Sequence, residues 1–482
     1  MAANDLRDDN MSNNSAADNL DQASKIHRKS KNPGIDYLSA KQKSVEASSI
    51  GTVNVVAIER DGQPQNTTAP KRKVWNKFKA EDGTDTNDGL LEPVSEHEWS
   101  MKPKSAILNL YSEVRNASEP VNYYTDMCIG RNNPRSFKFE VDTGSSLIWV
   151  QSKISETDTV PEGQEVYDCI SEDNEFGGLF NGRLDLNKRN MIQEYGSAKI
   201  QYDLQMDCFH IGIIKAEGQT LGAAPIRKLP PYFRNRSFHG IIGLGPQKAT
   251  ADTGGIQTNL LLNLKAQGQI DRAVLTMIGP NVRSVLKPQE EPDSKLTKGL
   301  SRGFLAIGSP YAEYVDGQVV WCEVVQDLNS DAWSKEKWVV KLDKLNINGT
   351  VVCTDQLALI DTGTAFVLAA DSNMKKVVQH LQGRVSSRGD HFVYDEKSLR
   401  NISFEFAGGV LEFEPANFFT GGESTARIGC VTKAPPSKMP SNVWVLGGAF
   451  LDCMVSIFDY EQNRIGFANL PDRDLDGFGM QL

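Results

Sequence analysis

Residues 137–150 read FKFEVDTGSSLIWV, and residues 357–367 read LALIDTGTAFV. In the first stretch, aromatic and aliphatic residues alternate with Lys and Glu up to the aspartate, which is the period of a half-buried β-strand. The unbroken apolar run before the second aspartate is typical of a buried strand. Both strands are therefore predicted to deliver an aspartate, Asp142 or Asp361, into a tight turn.

The residues that follow each aspartate favour a site made of two carboxylates. Gly144 and Gly363 allow another chain to approach closely, and the hydroxyl groups of Ser145 and Thr364 can hydrogen-bond a carboxylate oxygen. If the two turns face each other, the like charges cannot both ionise, so one carboxylate is a base and the other an acid. That arrangement activates water. The alternative is that each aspartate only caps its turn, but two copies behind apolar strands favour the paired site.

Four more segments stand in a regular order around the two turns. They are residues 122–130, 194–197, 238–246 and 443–451. Together with the two turns, they resemble the pepsin-like aspartic peptidases: the strand that opens the mature enzyme, the flap over the substrate, and one apolar-apolar-Gly segment in each lobe. The resemblance runs in family order from about residue 110 to residue 470.

The resemblance implies a fold and a set of roles. The fold is all-β with a few short helices, a bilobal double β-barrel with the active-site cleft between the lobes. The two aspartates are the catalytic pair, and the flap and substrate-binding residues are Tyr195, Gly196, Ser197 and Trp149. The indole of Trp149 is expected to hydrogen-bond the Tyr195 hydroxyl. The alternative is that these two aromatic residues belong only to the core.

The function implied is that of an aspartic endopeptidase with an acid pH optimum. It would hydrolyse protein or peptide substrates bound in an extended conformation, using water activated between the aspartates, and it would need neither a cofactor nor a metal. A catalytically silent binding or inhibitor module with the same shell is the alternative. A half-enzyme that must dimerise is disfavoured because the chain carries both half-sites, and we expect a monomer.

Length and composition exclude several other classes of protein. The chain has 482 residues, enough for two cores plus an appendage, and a net charge of −10 that argues against a nucleic-acid surface. No window approaches eighteen uninterrupted apolar residues, so no membrane span is predicted. The seven cysteines form no Cys-x-x-Cys pair, which argues against zinc, and their odd number leaves at least one thiol free unless a second chain is bridged.

The predicted organisation has five parts. Residues 1–105 are polar and poor in aromatic residues, which predicts a segment mostly disordered in isolation. It is either a solvated tail or, by the resemblance, a propeptide that covers the cleft until acid weakens its ion pairs. Residues 106–285 form the N-terminal lobe, residues 286–303 a connector, residues 304–470 the C-terminal lobe, and residues 471–482 an acidic tail.

The compartment is left open by the sequence. The family suggests a secreted or vacuolar protein, but the first residues lack the apolar core of a secretory signal. Three explanations remain: the signal was removed from this sequence, the first exon is missing, or the protein stays inside the cell.

Two other motifs are not predicted to be functional. Residues 299–303 fit the Gly-x-Ser-x-Gly pattern, but a Lys- and Ser-rich loop precedes Ser301 instead of a strand. Residues 472–477 copy the first half of a calcium loop without its bidentate glutamate.

Three local elements are also predicted. Residues 197–205 and 208–215 are interpreted as strands, and residues 371–381 as a short helix behind the second turn.

Overall fold

The structure is a computed structural model, and it describes part of the chain. The described residues are 53–57, 91–93, 105–112, 122–131, 134–153, 160, 165–168, 190–196, 198–234, 238–246, 259–279, 303–308, 315–325, 337–382, 384–385, 392–395, 401–413, 419–420, 426–429, 431–433, 440–452 and 454–469. Ser197, Ser301, most of the predicted connector and the predicted tail 471–482 lie outside them.

Strands dominate the described residues. They are β1 (Val53–Ala57), β2 (Leu91–Pro93), β3 (Ala106–Ser112), β4 (Tyr123–Ile129), β5 (Arg135–Asp142), β6 (Trp149–Lys153), β7 (Tyr167–Asp168), β8 (Met191–Glu194), β9 (Lys199–Ile211), β10 (Ile214–Pro225), β11 (Gly240–Gly243), β12 (Val274–Ile278), β13 (Gly303–Ile307), β14 (Asp316–Glu323), β15 (Val339–Ile347), β16 (Thr350–Ile360), β17 (Val367–Ala369), β18 (Arg384–Val385), β19 (Phe392–Asp395), β20 (Ile402–Phe406), β21 (Gly409–Phe413), β22 (Phe419–Thr420), β23 (Ala426–Gly429), β24 (Val431–Lys433), β25 (Val443–Leu446), β26 (Val455–Asp459) and β27 (Arg464–Asn469).

The helices of the described residues are short. They are Pro231–Arg234, Leu260–Ala266, Asp371–His380 and Gly448–Leu451, with a 3₁₀ turn at Ile226–Lys228. The predicted helix behind the second turn is confirmed, and it ends one residue before the predicted limit. None of these helices has the length and apolar character needed to cross a membrane.

The first lobe contains a closed barrel. Its strands follow one another in the order β4, β5, β11, β6, β10 and β9, and β9 pairs back to β4. The alternating residues of β5 explain the closure, because Phe137 and Phe139 point inward and are almost completely buried. Phe209 of β9 packs on Phe139 with ring centroids 6.3 Å apart. The barrel core is therefore built from the alternate residues of each strand, which are the apolar residues of the sequence pattern.

The second lobe is built around an eight-stranded sheet in the order β1, β21, β20, β15, β16, β25, β17 and β24, beside a four-stranded sheet of β18, β19, β23 and β22. Phe450 lies at the centre of its aromatic core. The rings of Phe404, Phe413 and Phe467 surround it at centroid distances of 5.2, 4.9 and 5.8 Å. Close packing of these large rings contributes to the apolar core of this lobe.

A run of antiparallel strands, β14, β27, β26, β12, β13 and β3, joins the two lobes. Strands from both ends of the described chain meet in it: β3 pairs with β13, and β12 pairs with β26. The prediction of an all-β, bilobal fold is confirmed. The limits of the five predicted parts stay predictions. Two strands from the predicted N-terminal segment, β1 and β2, pair with β21 and β14.

Both lobes repeat one strand arrangement around the Asp-Thr-Gly turns. In the first lobe β11 runs parallel to β5 and antiparallel to β6. In the second lobe β25 runs parallel to β16 and antiparallel to β17. In each lobe a later strand therefore lies between the strand before the aspartate turn and the strand after it, and pairs with both.

One predicted strand is wrong. The sequence predicts a strand over residues 208–215, but the chain turns at Gly212, which has a φ of +57° and lies between β9 and β10. Ile213, at the tip of this hairpin, is 86% exposed. The apolar run continues through the turn, so its pattern alone does not separate two strands, whereas glycine adopts the left-handed backbone that the turn requires.

The described cysteines are free thiols. Cys208, Cys322 and Cys353 are buried, and Cys128 is half-buried. Burial raises the pKa of each of the three buried thiols, because the low-polarity surroundings disfavour the thiolate.

Candidate active site

The backbone of each Asp-Thr-Gly turn is hydrogen-bonded to a neighbouring strand, β11 in the first lobe and β25 in the second. The Leu244 N–H, just after β11, donates to the carbonyl of Asp142 at 2.7 Å. In the second lobe the Asp361 N–H donates to the carbonyl of Leu446, the last residue of β25, at 3.1 Å. The backbone of both aspartates is therefore positioned by sheet hydrogen bonds, before any side chain contributes.

The two turns are joined directly through their threonines. The Thr143 N–H donates to Thr362 Oγ1 at 2.9 Å, and the Thr362 N–H donates to Thr143 Oγ1 at 3.0 Å. The hydroxyl of Thr143 donates to the Ile360 carbonyl at 2.9 Å, and that of Thr362 donates to the Val141 carbonyl at 2.7 Å. Both threonines are completely buried. The two lobes therefore share one hydrogen-bonded joint.

Each aspartate side chain accepts two hydrogen bonds from its own turn. The Gly144 N–H donates to Asp142 Oδ1 at 2.8 Å, and the Ser145 hydroxyl donates to Asp142 Oδ2 at 2.5 Å. Around Asp361, the glycine and threonine two and three positions later donate to Oδ1 and Oδ2 at 2.9 and 2.7 Å. These bonds orient the carboxylates of both aspartates in the same way.

The glycines bring the two carboxyl groups together. A Cβ atom at Gly363 would lie 2.5 Å from Asp142 Oδ1, and one at Gly144 would overlap the carboxylate of Asp361, with Oδ2 2.7 Å away. Only a residue without a side chain fits at either position. The structure thus brings together all six residues of the predicted dyad and its support.

The electrostatics of the pair favour one shared proton. Burial is the largest cause that raises the pKa of Asp142, and the negative charge of Asp361 raises it further. The Ser145 hydroxyl and the positive charge of Lys337 act in the opposite direction. A pair with one proton contains an acid and a base in contact, which is the equipment for general acid–base attack of water on a carbonyl group.

Tyr195, the predicted flap residue, lies close to Asp142 and Ser145 of the first turn. It follows β8, and its N–H donates to the Ala198 carbonyl at 2.8 Å, which closes the hairpin with β9. Burial raises the pKa of the Tyr195 phenol, and the negative charge of Asp142 raises it further. Gly196, at the tip, is exposed with open space around its Cα.

Trp149 and Tyr195 have a ring in common as a neighbour. The ring centroid of Phe233 lies 5.3 Å from that of Trp149 and 5.6 Å from that of Tyr195, and both contacts are edge-to-face. The indole of Trp149 lowers the pKa of the Tyr195 phenol. However, neither the indole N–H nor the phenol completes a hydrogen bond of ordinary geometry among the described residues. The expected hydrogen bond between the indole and the phenol stays a prediction.

Sequence reasoning missed three residues of this site. Thr143 and Thr362 occupy the same place in both motif copies, and that repetition was a usable signal for a paired role. Lys337 donates from Nζ to the Gly144 carbonyl at 2.7 Å. No sequence pattern marks it, since lysines are common in polar segments such as the one around it.

Comparison with known proteins agrees with the fold. The family described as eukaryotic aspartyl protease matches residues 122–470. Pepsin B of Canis lupus familiaris is 23% identical over 352 residues, covering 72% of this chain and 80% of that protein. Cathepsin E-B of Xenopus laevis is 25% identical, covering 72% and 79%, and cathepsin D of Rattus norvegicus is 24% identical, covering 80% and 89%.

The fold and the paired turns define a bilobal protein of the pepsin-like class. The family match covers well over half of the chain, so this protein belongs to the eukaryotic aspartyl protease family.

Proposed function

We propose that this protein is an aspartic endopeptidase that hydrolyses peptide bonds in proteins, with Asp142 and Asp361 as its catalytic pair. The observation that carries the proposal is that the two turns face each other: each turn glycine lies against the other turn's aspartate, and the negative charge of Asp361 acts on Asp142. Membership of the family supports the same reaction.

The proposed reaction begins with a water molecule held between the two carboxyl groups. The ionised aspartate takes a proton from the water as its oxygen attacks the scissile carbonyl carbon, and the protonated aspartate donates its proton to the carbonyl oxygen. As the C–N bond of the tetrahedral intermediate then breaks, the aspartate that took the water's proton gives it to the nitrogen, and a hydroxyl of the intermediate returns a proton to the other aspartate. The products are a carboxylic acid and an amine. The charge belongs to the pair and is not assigned to one aspartate.

The surrounding residues have supporting roles in this proposal. Ser145 and Thr364 orient the two carboxylates, Gly144 and Gly363 permit their approach, and Tyr195 closes over an extended peptide. Gly196 and Ser197 continue the flap, and Trp149 supports it from below. By the resemblance, apolar side chains are expected on both sides of the cleaved bond.

The decisive experiment is cleavage of a peptide with apolar residues on both sides of one bond, measured across acid and neutral pH. We expect acid-optimal cleavage that a statine-type inhibitor blocks and that Asp142→Asn and Asp361→Asn each abolish. Asp355→Asn is the matched control, because Asp355 lies on the strand that leads to Asp361 and is exposed. Cleavage that survives in either dyad variant contradicts the proposal, and inhibitor binding without cleavage supports a silent binding module instead.

We also propose that residues 1–105 act as a propeptide. Acidification of the purified full chain should then shorten its N-terminus, as N-terminal sequencing would detect. Full activity of the unshortened chain at neutral pH contradicts this part of the proposal without affecting the catalytic pair.

A further inference from the structure

The segment Lys337–Trp338, which leads into β15, is fixed beside both aspartate turns. Trp338 is completely buried, and its indole N–H donates to the Leu244 carbonyl of the first lobe at 2.8 Å. Its own carbonyl accepts from the Ile360 N–H, just before the second aspartate, at 2.9 Å. The chain that carries Lys337 is therefore held beside both aspartate turns by hydrogen bonds of the next residue.

The side chain of Lys337 crosses from the second lobe to the first. Its Nζ donates to the Gly144 carbonyl at 2.7 Å, and the side chain is half-buried. Among the residues that the structure describes, Lys337 forms no ion pair within 4.0 Å, unlike Lys341 and Lys344 of the following strand. An ammonium group held by a neutral carbonyl keeps its full charge available to nearby carboxylates.

Gly144 links this charge to the dyad. Its N–H donates to Asp142, and its Cα lies against the carboxylate of Asp361. Another titratable group close to the pair, among the residues that the structure describes, is the Tyr195 phenol, whose pKa is raised by burial and then by the charge of Asp142. The charge of Lys337 lowers the pKa of Asp142 and so opposes both burial and the charge of Asp361.

We propose that Lys337 is a positioning residue for the catalytic pair: its ammonium holds the first turn through Gly144 and keeps a positive charge beside the carboxylates, which extends activity toward more acid pH. The proposal rests on the proposed peptidase function. It adds a residue from outside the Asp-Thr-Gly motifs, at a point where the second lobe acts on the first.

The physical argument concerns the dyad with a single negative charge. The pair reaches this state when it loses its first proton and leaves it when it loses the second. A nearby positive charge lowers the pH at which each of these two protons is lost. Lys337 therefore moves both limbs of the bell-shaped pH profile of kcat/KM to lower pH. Removal of the charge should move both limbs to higher pH by about one unit, the lower end of the range for an opposite charge close to a carboxylate.

The test compares three variants at this position with one control. Lys337→Met removes both the charge and the donor, Lys337→Gln removes the charge and keeps an N–H donor, and Lys337→Arg keeps both. We expect the first two to show the shifted profile and the third to match the wild-type protein. Lys341→Met removes an exposed lysine of β15 that pairs with Asp343, and it should leave the profile unchanged.

The readouts separate this proposal from the peptidase function. The pH profile is measured for cleavage and, in parallel, for binding of a statine-type inhibitor, with circular dichroism to confirm folding. If Lys337→Met does not fold, Lys337→Gln gives the result. Profiles of both neutral variants that coincide with the wild type overturn the role of Lys337 alone. Inhibitor binding without wild-type cleavage overturns the peptidase proposal alone, and the binding profile then decides the role of Lys337.

Discussion

Thr143 and Thr362, 219 positions apart in the chain, exchange backbone-to-hydroxyl hydrogen bonds of 2.9 and 3.0 Å. Each hydroxyl also donates to the carbonyl that precedes the other turn's aspartate. Every polar group of this buried joint therefore has a partner, which makes it rigid and sensitive to the loss of any one member. The spacing between the two carboxylates depends on it.

Thr143→Val tests the joint. The change keeps the volume but leaves the Thr362 N–H without its acceptor and the Ile360 carbonyl without the hydroxyl donor. Each unsatisfied buried group costs about 1–3 kcal/mol, so we expect the free energy of unfolding to fall by roughly 2–6 kcal/mol. Denaturant unfolding measures this. Thr354→Val, at an exposed position of β16, is the control. An equal effect of both changes would show that the hydrogen bonds between Thr143 and Thr362 do not contribute to the free energy of unfolding.

Gly144→Ala tests the close approach of the two turns. The new methyl group would overlap the carboxylate of Asp361, not that of its own aspartate, and would separate the pair. A displacement of a reacting group by about 1 Å costs about a hundredfold in kcat/KM. Ser145→Ala removes one hydrogen bond to Asp142 without adding volume and should cost less. Steady-state kinetics compare the two, and a smaller loss in Gly144→Ala than in Ser145→Ala would contradict the interlocked geometry.

Tyr195→Ala separates a role in the flap from a role in the core. Tyr195 is half-buried at a hairpin tip, whereas Phe233 beneath it is 3% exposed. We expect Tyr195→Ala to lower kcat/KM at least tenfold with little change in the unfolding midpoint. Phe233→Ala should instead lower the free energy of unfolding by about 3–5 kcal/mol. If Tyr195→Ala destabilises the protein as much as Phe233→Ala, Tyr195 is a core residue.

The raised pKa of Asp142 predicts a pH-dependent stability. The folded state binds the proton more tightly than the unfolded chain, so the wild-type free energy of unfolding falls as pH rises from about 4 toward the raised pKa. Asparagine has no such proton. Asp142→Asn should therefore gain stability relative to the wild type between pH 3 and pH 7, by about 1.4 kcal/mol for each pH unit by which the pKa is raised.

Denaturant unfolding at both pH values measures the gain, and the difference between them cancels any constant effect of the substitution. The exposed Asp355→Asn is the control. A wild-type stability that rises with pH relative to Asp142→Asn would contradict the predicted direction.

Much of the fold was predictable because its signals are local. The alternation in β5 and the apolar run in β16 follow directly from which strand faces are buried. The hairpin at Gly212 was missed because its apolar residues continue through the turn. The packing of Phe233 against both Trp149 and Tyr195 was not predictable, because it joins residues from three separate segments of the first lobe.

The sequence by itself determined the two strands that end in Asp-Thr-Gly, the order of the segments around them and the all-β class, since each of these follows from side-chain pattern and turn chemistry. Only the tertiary structure decided that Thr143 meets Thr362 and that Lys337 reaches Gly144. Such contacts join residues about two hundred positions apart, and they depend on the packing of two complete lobes, which no local pattern encodes.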